Sequence, residues 1–166
     1  MKTLFACALL ALPTLVLAAS EDPDSSFYKA LAHGGLDEVE LGQLAQKKAT
    51  DPKVRDFGAM MVKDHSAAND DLKALAASKN VNIPEHVSAT AEASKTKLHL
   101  LSGSAFDHYY VKNQISAHES TVSLLNKEIA SGRDPDAKAF AQKVLPTVKS
   151  HLQVINQIAA EEGIQH

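Results

Sequence analysis

The chain has 166 residues, a formal net charge of −3 and an aromatic content of 5 %, with no tryptophan. This length is sufficient for one domain with a sizeable core, and the many Ala, Leu and Lys residues favour helices over strands. Because the sequence contains no run of basic residues, we do not expect nucleic acid to be a partner.

The N-terminal segment MKTLFACALLALPTLVLAAS has the pattern of a secretory signal peptide. An early Lys2 is followed by an apolar run and then by small residues, so we predict that residues 1–19 are a signal cleaved near Ala18 or Ala19. The alternative is an uncleaved membrane anchor, although the apolar run is short for a stable span. Cleavage removes Cys7, the only cysteine, and leaves a mature chain without thiol chemistry. The expected location is therefore the periplasm or the cell exterior.

Helical periodicity and turn signals divide the rest of the sequence into four long helices. The pairs Asp51-Pro52 and Asp134-Pro135 have the residues typical of an N-cap and a first helical position. The stretch from Ser104 to Asp107 resembles a capping box. The weakly periodic segment 80–103 is expected to be a crossover that contains some helix. The expected helices cover residues 25–49, 52–79, 104–130 and 135–162.

The two halves of the chain resemble each other. The sequence DPKVRDFGAMMV matches DPDAKAFAQKVL, with Phe57 and Phe140 at the same offset from the Asp-Pro pair. Each half reads as a helix, a short Asp-Pro turn and a second helix. We therefore predict an all-α, ferritin-like four-helix bundle over residues 24–162, made of two helical hairpins joined by a long crossover.

Each long helix carries one polar residue in or near its apolar stripe. His65, for example, follows Phe57 and Met61 at steps of four, in the positions that pack against other helices. All of these polar residues lie near the middle of their helices, within about 5 Å along the axis at roughly 1.5 Å per residue. We therefore expect one polar layer midway along the bundle. Its members are Glu40, His65, His118 and His151.

Three imidazoles and one carboxylate suit one transition-metal ion, such as zinc, iron, copper or manganese. The alternative is a hydrogen-bonded polar network without a metal, because buried imidazoles need partners in either case. Asp64 and Glu119 are neighbours of the central histidines in sequence. They point about 100° away around the helix, so we expect them to face solvent.

The sequences GGLDEVELGQLAQKKATDPKVRDFGAMMVKDHSAANDDLKALA and SGRDPDAKAFAQKVLPTVKSHL resemble a bacterial secreted family catalogued as domain of unknown function 4142. This family is grouped with the ferritin-like superfamily. The resemblance spans residues 24–162 and implies an exported ferritin-like bundle. It implies no established activity.

Di-iron members of that superfamily use Glu-x-x-His motifs on two helices. Here the residues three positions before His65 and His151 are Val62 and Val148, so a di-iron enzyme of that design is not expected. The sequence also lacks a nucleophile elbow and a Gly-rich phosphate loop. Two hypotheses stay open: an exported bundle that binds one metal ion, and a structural or interaction protein of the cell envelope with a buried polar network.

Overall fold

The computed structural model describes residues 24–165, and this part of the chain contains five helices and no strand. The predicted signal peptide lies outside the described residues. Within residues 24–165, none of the helices combines the length and apolar character needed to cross a membrane. The helices are α1 (Ser25–Lys48), α2 (Pro52–Ser78), α3 (Ala89–Leu100), α4 (Gly103–Ser131) and α5 (Pro135–Glu161).

Both Asp-Pro turns start helices in the way the sequence predicts. The Asp51 carboxylate accepts a hydrogen bond from the backbone N–H of Lys53 at 2.7 Å. The Asp134 carboxylate accepts one from the backbone N–H of Asp136 at 2.9 Å. In each case the following proline occupies the first turn, where its missing N–H costs no hydrogen bond.

Contacts at the helix ends establish the direction of each helix. α1 packs along α2 and α4 packs along α5, with short turns that make each pair antiparallel. The carboxylate of Asp107, in the first turns of α4, accepts hydrogen bonds from the backbone N–H groups of Thr50 and Asp51 at 3.1 and 3.0 Å. The start of α4 therefore lies beside the start of α2, so these two helices are parallel. This confirms the ferritin-like arrangement of two hairpins joined by a crossover, and α3 in the crossover contacts α1 and α4.

The predicted capping box at Ser104 is wrong. α4 begins at Gly103, and Ser102 occupies the N-cap position. Asp107 is 5 % exposed, and its carboxylate is directed to the α1–α2 turn, where Thr50 donates through both its backbone N–H and its hydroxyl. A buried carboxylate is stabilised by as many donors as it can reach, and this turn offers more of them than the local backbone.

The apolar core consists of two clusters with the middle of the bundle between them. Leu125 and Leu72 belong to the cluster at the end where α1 begins, and Tyr110 and Met61 belong to the cluster at the other end. On each of α2, α4 and α5 the central histidine lies between residues of the two clusters. The fold therefore places these histidines in a separate polar layer.

Candidate metal centre

Three histidines from three helices meet in the middle of the bundle. The ring centroids of His65 and His118 lie 5.9 Å apart, those of His65 and His151 5.4 Å, and those of His118 and His151 5.6 Å. One nitrogen of each ring lies within 4.8 Å of the corresponding nitrogens of the other two. The structure thus brings together the three histidines that the helical spacing selected. Their role as metal ligands stays a prediction.

Each of these rings has one buried nitrogen without a hydrogen-bond partner in the protein. The atoms are Nε2 of His65, Nε2 of His118 and Nδ1 of His151. His118 is 1 % exposed and His151 is 2 % exposed. His65 retains some exposed surface, but its Nε2 atom is buried. Buried polar atoms are normally satisfied, so one unpaired nitrogen on each of three neighbouring rings needs an explanation.

The other nitrogen of two of the rings is already paired. His118 Nδ1 lies 2.8 Å from the backbone carbonyl oxygen of Gln114, and His151 Nε2 lies 3.0 Å from Oδ2 of Asp64. Since a carbonyl and a carboxylate only accept, both ring nitrogens are donors. The tautomers inferred from these partners leave a lone pair on His118 Nε2 and on His151 Nδ1. Metal-binding histidines typically have this arrangement, with the second ring nitrogen held by an acceptor.

The electrostatic environment keeps at least two of the imidazoles neutral. Burial, with smaller contributions from the neighbouring His118 and His151, lowers the pKa of His65 from 6.5 to about 3. Burial lowers the pKa of His118 from 6.5 to about 4, although its hydrogen bond to the Gln114 carbonyl partly offsets this. Neutral imidazole is the form that binds metals, so both rings are in the ligand form at neutral pH.

The placement predicted for Glu40 is wrong. Its carboxylate lies 2.6 Å from the ammonium group of Lys95 on α3, and its side chain is 38 % exposed. A Cβ atom on Gly42 would lie 2.7 Å from the carbonyl oxygen of Gly58, so α1 and α2 approach closely at these two glycines. This contact turns the face of α1 that contains Glu38 and Gly42 toward the core. Glu40 is about 200° away from Glu38 around the helix and therefore lies outside.

Glu38 is the carboxylic acid that α1 contributes to the bundle interior. It is 5 % exposed, and its Oε1 atom lies 3.8 Å from Nδ1 of His118. Burial raises the pKa of Glu38 from 4.5 to about 8, and the neighbouring Gln114 amide offsets only part of this rise. The carboxyl group is therefore mainly protonated at neutral pH. The Glu38 carboxyl group lies on the Nδ1 side of the His118 ring. It is therefore positioned to hold the ring in place, and it is not positioned as a metal ligand beside Nε2.

The structure also corrects the expectation for Asp64. This residue was expected to face solvent, but its side chain is 30 % exposed and accepts the hydrogen bond from His151. α5 packs beside α2, so His151 reaches the flank of α2 where Asp64 lies.

One side of the centre opens into a cavity of about 200 Å³ that His65, His151 and Asp64 line.

The spacing of the three nitrogens is slightly larger than a closed coordination shell requires. Three nitrogens at about 2.0–2.1 Å from one zinc ion lie about 3.4 Å apart in a tetrahedral arrangement. The ligand nitrogens here lie within 4.8 Å of one another, so the rings would have to move closer together to close such a shell. Three imidazoles are a donor set that suits several transition metals.

Three solved structures share the fold of this chain. A DUF305 fragment from Deinococcus radiodurans has a TM-score of 0.73 at 12 % identity, covering 83 % of this chain and 95 % of that one. A DUF305 protein from Streptomyces coelicolor that is described as secreted has a TM-score of 0.72 at 16 % identity, covering 86 % and 95 %. CopM in an Ag-bound form obtained by co-crystallization has a TM-score of 0.66 at 16 % identity, covering 83 % and 96 %. At these identities the likeness shows the fold alone.

The sequence itself matches no curated protein. It does match the model of the family described as Domain of unknown function (DUF4142) over residues 13–158, which is most of the chain. The resemblance that the sequence motifs indicated is thereby confirmed, and the chain belongs to the DUF4142 family.

Proposed function

We propose that this protein is an exported helical bundle that binds one transition-metal ion between His65, His118 and His151. The observation that carries the proposal is the set of three buried ring nitrogens, one on each histidine, that have no partner in the protein. A metal ion is the ligand that would satisfy all three at once, because the three rings lie close enough together to offer one nitrogen each to the same ion. Asp64 and the Gln114 carbonyl would hold two of the rings in the required tautomers.

The alternative is a polar network without a metal, in a structural or interaction protein of the cell envelope. Such a network is stable when its members donate to and accept from one another. The three rings contact each other edge to face or at a tilt, and a nitrogen of each stays unpaired. This pattern favours the metal proposal over the network.

The type of donor atom limits which metal ions are candidates. Imidazole nitrogens suit zinc, copper and iron, and manganese is less favoured because it prefers oxygen donors. CopM, which shares the fold, was crystallised in an Ag-bound form, so a soft monovalent ion belongs among the candidates to be tested. The missing di-iron carboxylates at Val62 and Val148 argue against a di-iron enzyme.

The proposed location is the periplasm or the cell exterior. It rests on the signal-like sequence of residues 1–19, and a neighbour with the same fold is described as secreted. We propose that the mature chain begins near Ala19 and that residues 24–162 form the metal-binding domain. Mass spectrometry of the protein from its native host tests this, since an intact chain that begins at Met1 in the membrane fraction would contradict cleavage.

Metal binding is tested by titrating the purified mature protein with Zn²⁺, Cu²⁺, Fe²⁺, Co²⁺ and Ag⁺ in separate calorimetric experiments, with Fe²⁺ under anaerobic conditions. We expect at least one ion to bind with one equivalent per chain. Replacement of His65, His118 or His151 by Ala should each abolish that binding. His86→Ala is the matched control, because His86 is an exposed histidine in the crossover and its loss should leave binding unchanged. If no ion binds the wild-type protein while the three variants are destabilised, the polar network is the correct account.

A further inference from the structure

The cavity beside the three histidines is lined by residues of all four long helices. Its volume is about 200 Å³, and it extends from His65 and His151 toward Leu72, Leu124 and Phe140. One end is thus formed by imidazole rings, and the rest is formed mainly by apolar side chains. A cavity of about 150 Å³ lined by apolar residues binds benzene, so this one has room for a somewhat larger ring.

The chemistry of the walls indicates what would bind there. Apolar walls disfavour a hydrated cation or a free anion, because either would lose its hydration without compensation. An uncharged molecule with an apolar body does not have this cost. Polar partners for such a ligand are the histidines at one end and the polar side chains among the apolar ones on the rest of the lining, which are Asp64, Asn69, Asp71, Thr121, Lys143 and Thr147.

The cavity has an opening to solvent at which an ion pair connects two helices. Lys143 of α5 lies 2.7 Å from Asp71 of α2, and both side chains are more than half exposed. Both residues line the cavity, as do parts of α2 and α5 on its two sides. Exposed ion pairs are weak, so this one does not seal the opening against a small molecule.

We infer that the cavity binds a small uncharged ligand that has an apolar ring and one lone-pair donor atom, and that the donor atom coordinates the metal ion. This inference rests on the proposed function. The three histidines supply three ligands, and a transition metal with three protein ligands retains a position for an exogenous donor. The cavity is where that donor would approach, because it is the space that His65 and His151 border.

Benzimidazole and imidazole form a matched pair of probes. Both offer the same type of nitrogen donor, but only benzimidazole has a fused apolar ring. Titration of the Co²⁺-loaded mature protein with each probe is followed by the visible d–d absorption of Co²⁺. We expect both to perturb the spectrum, and benzimidazole to bind at least about tenfold more tightly because its extra ring is buried.

Gly34 offers a way to fill the cavity without disturbing the histidines. It lines the cavity, and a Cβ atom added there would meet no heavy atom within 4 Å. Gly34→Leu should therefore fold, retain the Co²⁺ affinity of the wild type and lose about tenfold in benzimidazole affinity. Ala68→Leu fills the same space from α2 and serves if the first variant does not fold. Ala59→Leu, at an exposed position of α2, is the control that should change nothing.

The outcomes separate this inference from the proposed function. If the wild-type protein takes up no Co²⁺ or other tested ion, the proposed function fails and the inference fails with it. If Co²⁺ binds but the two probes bind equally well, or if both cavity-filling variants bind benzimidazole as the wild type does, the inference alone is overturned.

Discussion

His151 Nε2 lies 3.0 Å from the carboxylate of Asp64, two residues that are 87 positions apart in the sequence. The pair connects α5 to α2 beside the three-histidine centre. Because the carboxylate accepts from Nε2, it directs the lone pair of Nδ1 toward the other two histidines. Asp64 is thus a positioning residue for the proposed metal ligand.

Asp64→Asn should weaken metal binding by about 10–100-fold, the usual effect of removing the partner of a metal-binding histidine. The measurement is competition with a chelator of known affinity. Asp70→Asn, at an exposed position of α2, is the control and should bind metal as the wild type does. Equal affinities for the two variants would contradict the role assigned to Asp64.

The metal-free protein should lose stability in acid because of the buried imidazoles. The pKa values of His65 and His118 are lowered from 6.5 to about 3 and about 4, so below pH 6.5 the unfolded chain binds protons that the folded chain does not. The contribution of these two neutral imidazoles to the free energy of unfolding is fully present above pH 6.5 and is lost as the pH falls toward 4. At about 1.4 kcal/mol per pKa unit, the two imidazoles together lose on the order of 4 kcal/mol between pH 6.5 and 4.5. The opposite pH dependence of Glu38 offsets part of this, so we expect a net loss on the order of 2 kcal/mol.

Urea unfolding at a series of pH values measures this dependence. The His65→Leu variant should have a shallower decline below pH 6.5, since it lacks one of the two groups. If the free energy of unfolding of the variant falls with pH as steeply as that of the wild type, His65 is not a buried neutral imidazole.

Glu38 should have the opposite dependence on pH. Its pKa is raised from 4.5 to about 8, so its contribution to stability is fully present below pH 4.5 and is lost as the pH rises through 8. Glu38→Gln removes the ionisable group and keeps its shape. We expect the variant to be more stable than the wild type at pH 8 by about 1–3 kcal/mol. At that pH the folded wild type must either bury the charged Glu38 carboxylate or bind a proton that the unfolded chain does not bind.

Glu40→Gln is the matched control for that measurement, two positions away on the same helix. Glu40 is partly exposed and paired with Lys95, so its replacement should change the free energy of unfolding by less than about 1 kcal/mol. If Glu40→Gln has the larger effect at pH 8, the assignment of Glu38 to the interior is wrong.

The contact between Gly42 and Gly58 should tolerate no side chain. A Cβ atom on Gly58 would lie 2.8 Å from the carbonyl oxygen of Gly42 and 2.9 Å from Cβ of Ala45. Gly58→Ala should therefore destabilise the protein by about 1–3 kcal/mol, despite the higher helix propensity of alanine. Thermal unfolding measures the effect, and Gly34→Ala is the control. At Gly34 the added methyl group would meet no heavy atom within 4 Å. The higher helix propensity of alanine should therefore stabilise the protein by up to about 1 kcal/mol.

The sequence was sufficient to predict the arrangement of the bundle. Its Asp51-Pro52 and Asp134-Pro135 pairs are local signals, and helix starts depend mainly on local hydrogen bonds. The capping box at Ser104 failed because Asp107 binds a turn in the other hairpin. A partner so distant along the chain leaves no trace in the local pattern.

The candidate site was predictable where an apolar stripe surrounds the polar residue, as it does for His65, His118 and His151. It was not predictable on α1. The inward face there mixes the small residues Gly42 and Ala45 with Leu41 and Leu44, which weakens its hydrophobic signal, and the rotation depends on the close approach to Gly58. That rotation buries Glu38 and exposes Glu40. The recurrence of small residues at steps of three and four was the signal that could have identified this face.

One metal ion bound between the three histidines would be visible in a crystal. The most direct measurement is a crystal structure of the metal-loaded mature protein, with data collected at the absorption edge of the metal. We predict a single anomalous peak between His65 Nε2, His118 Nε2 and His151 Nδ1. A metal-loaded crystal with its peak elsewhere, or with none at the centre and the three nitrogens hydrogen-bonded to water, would contradict the account.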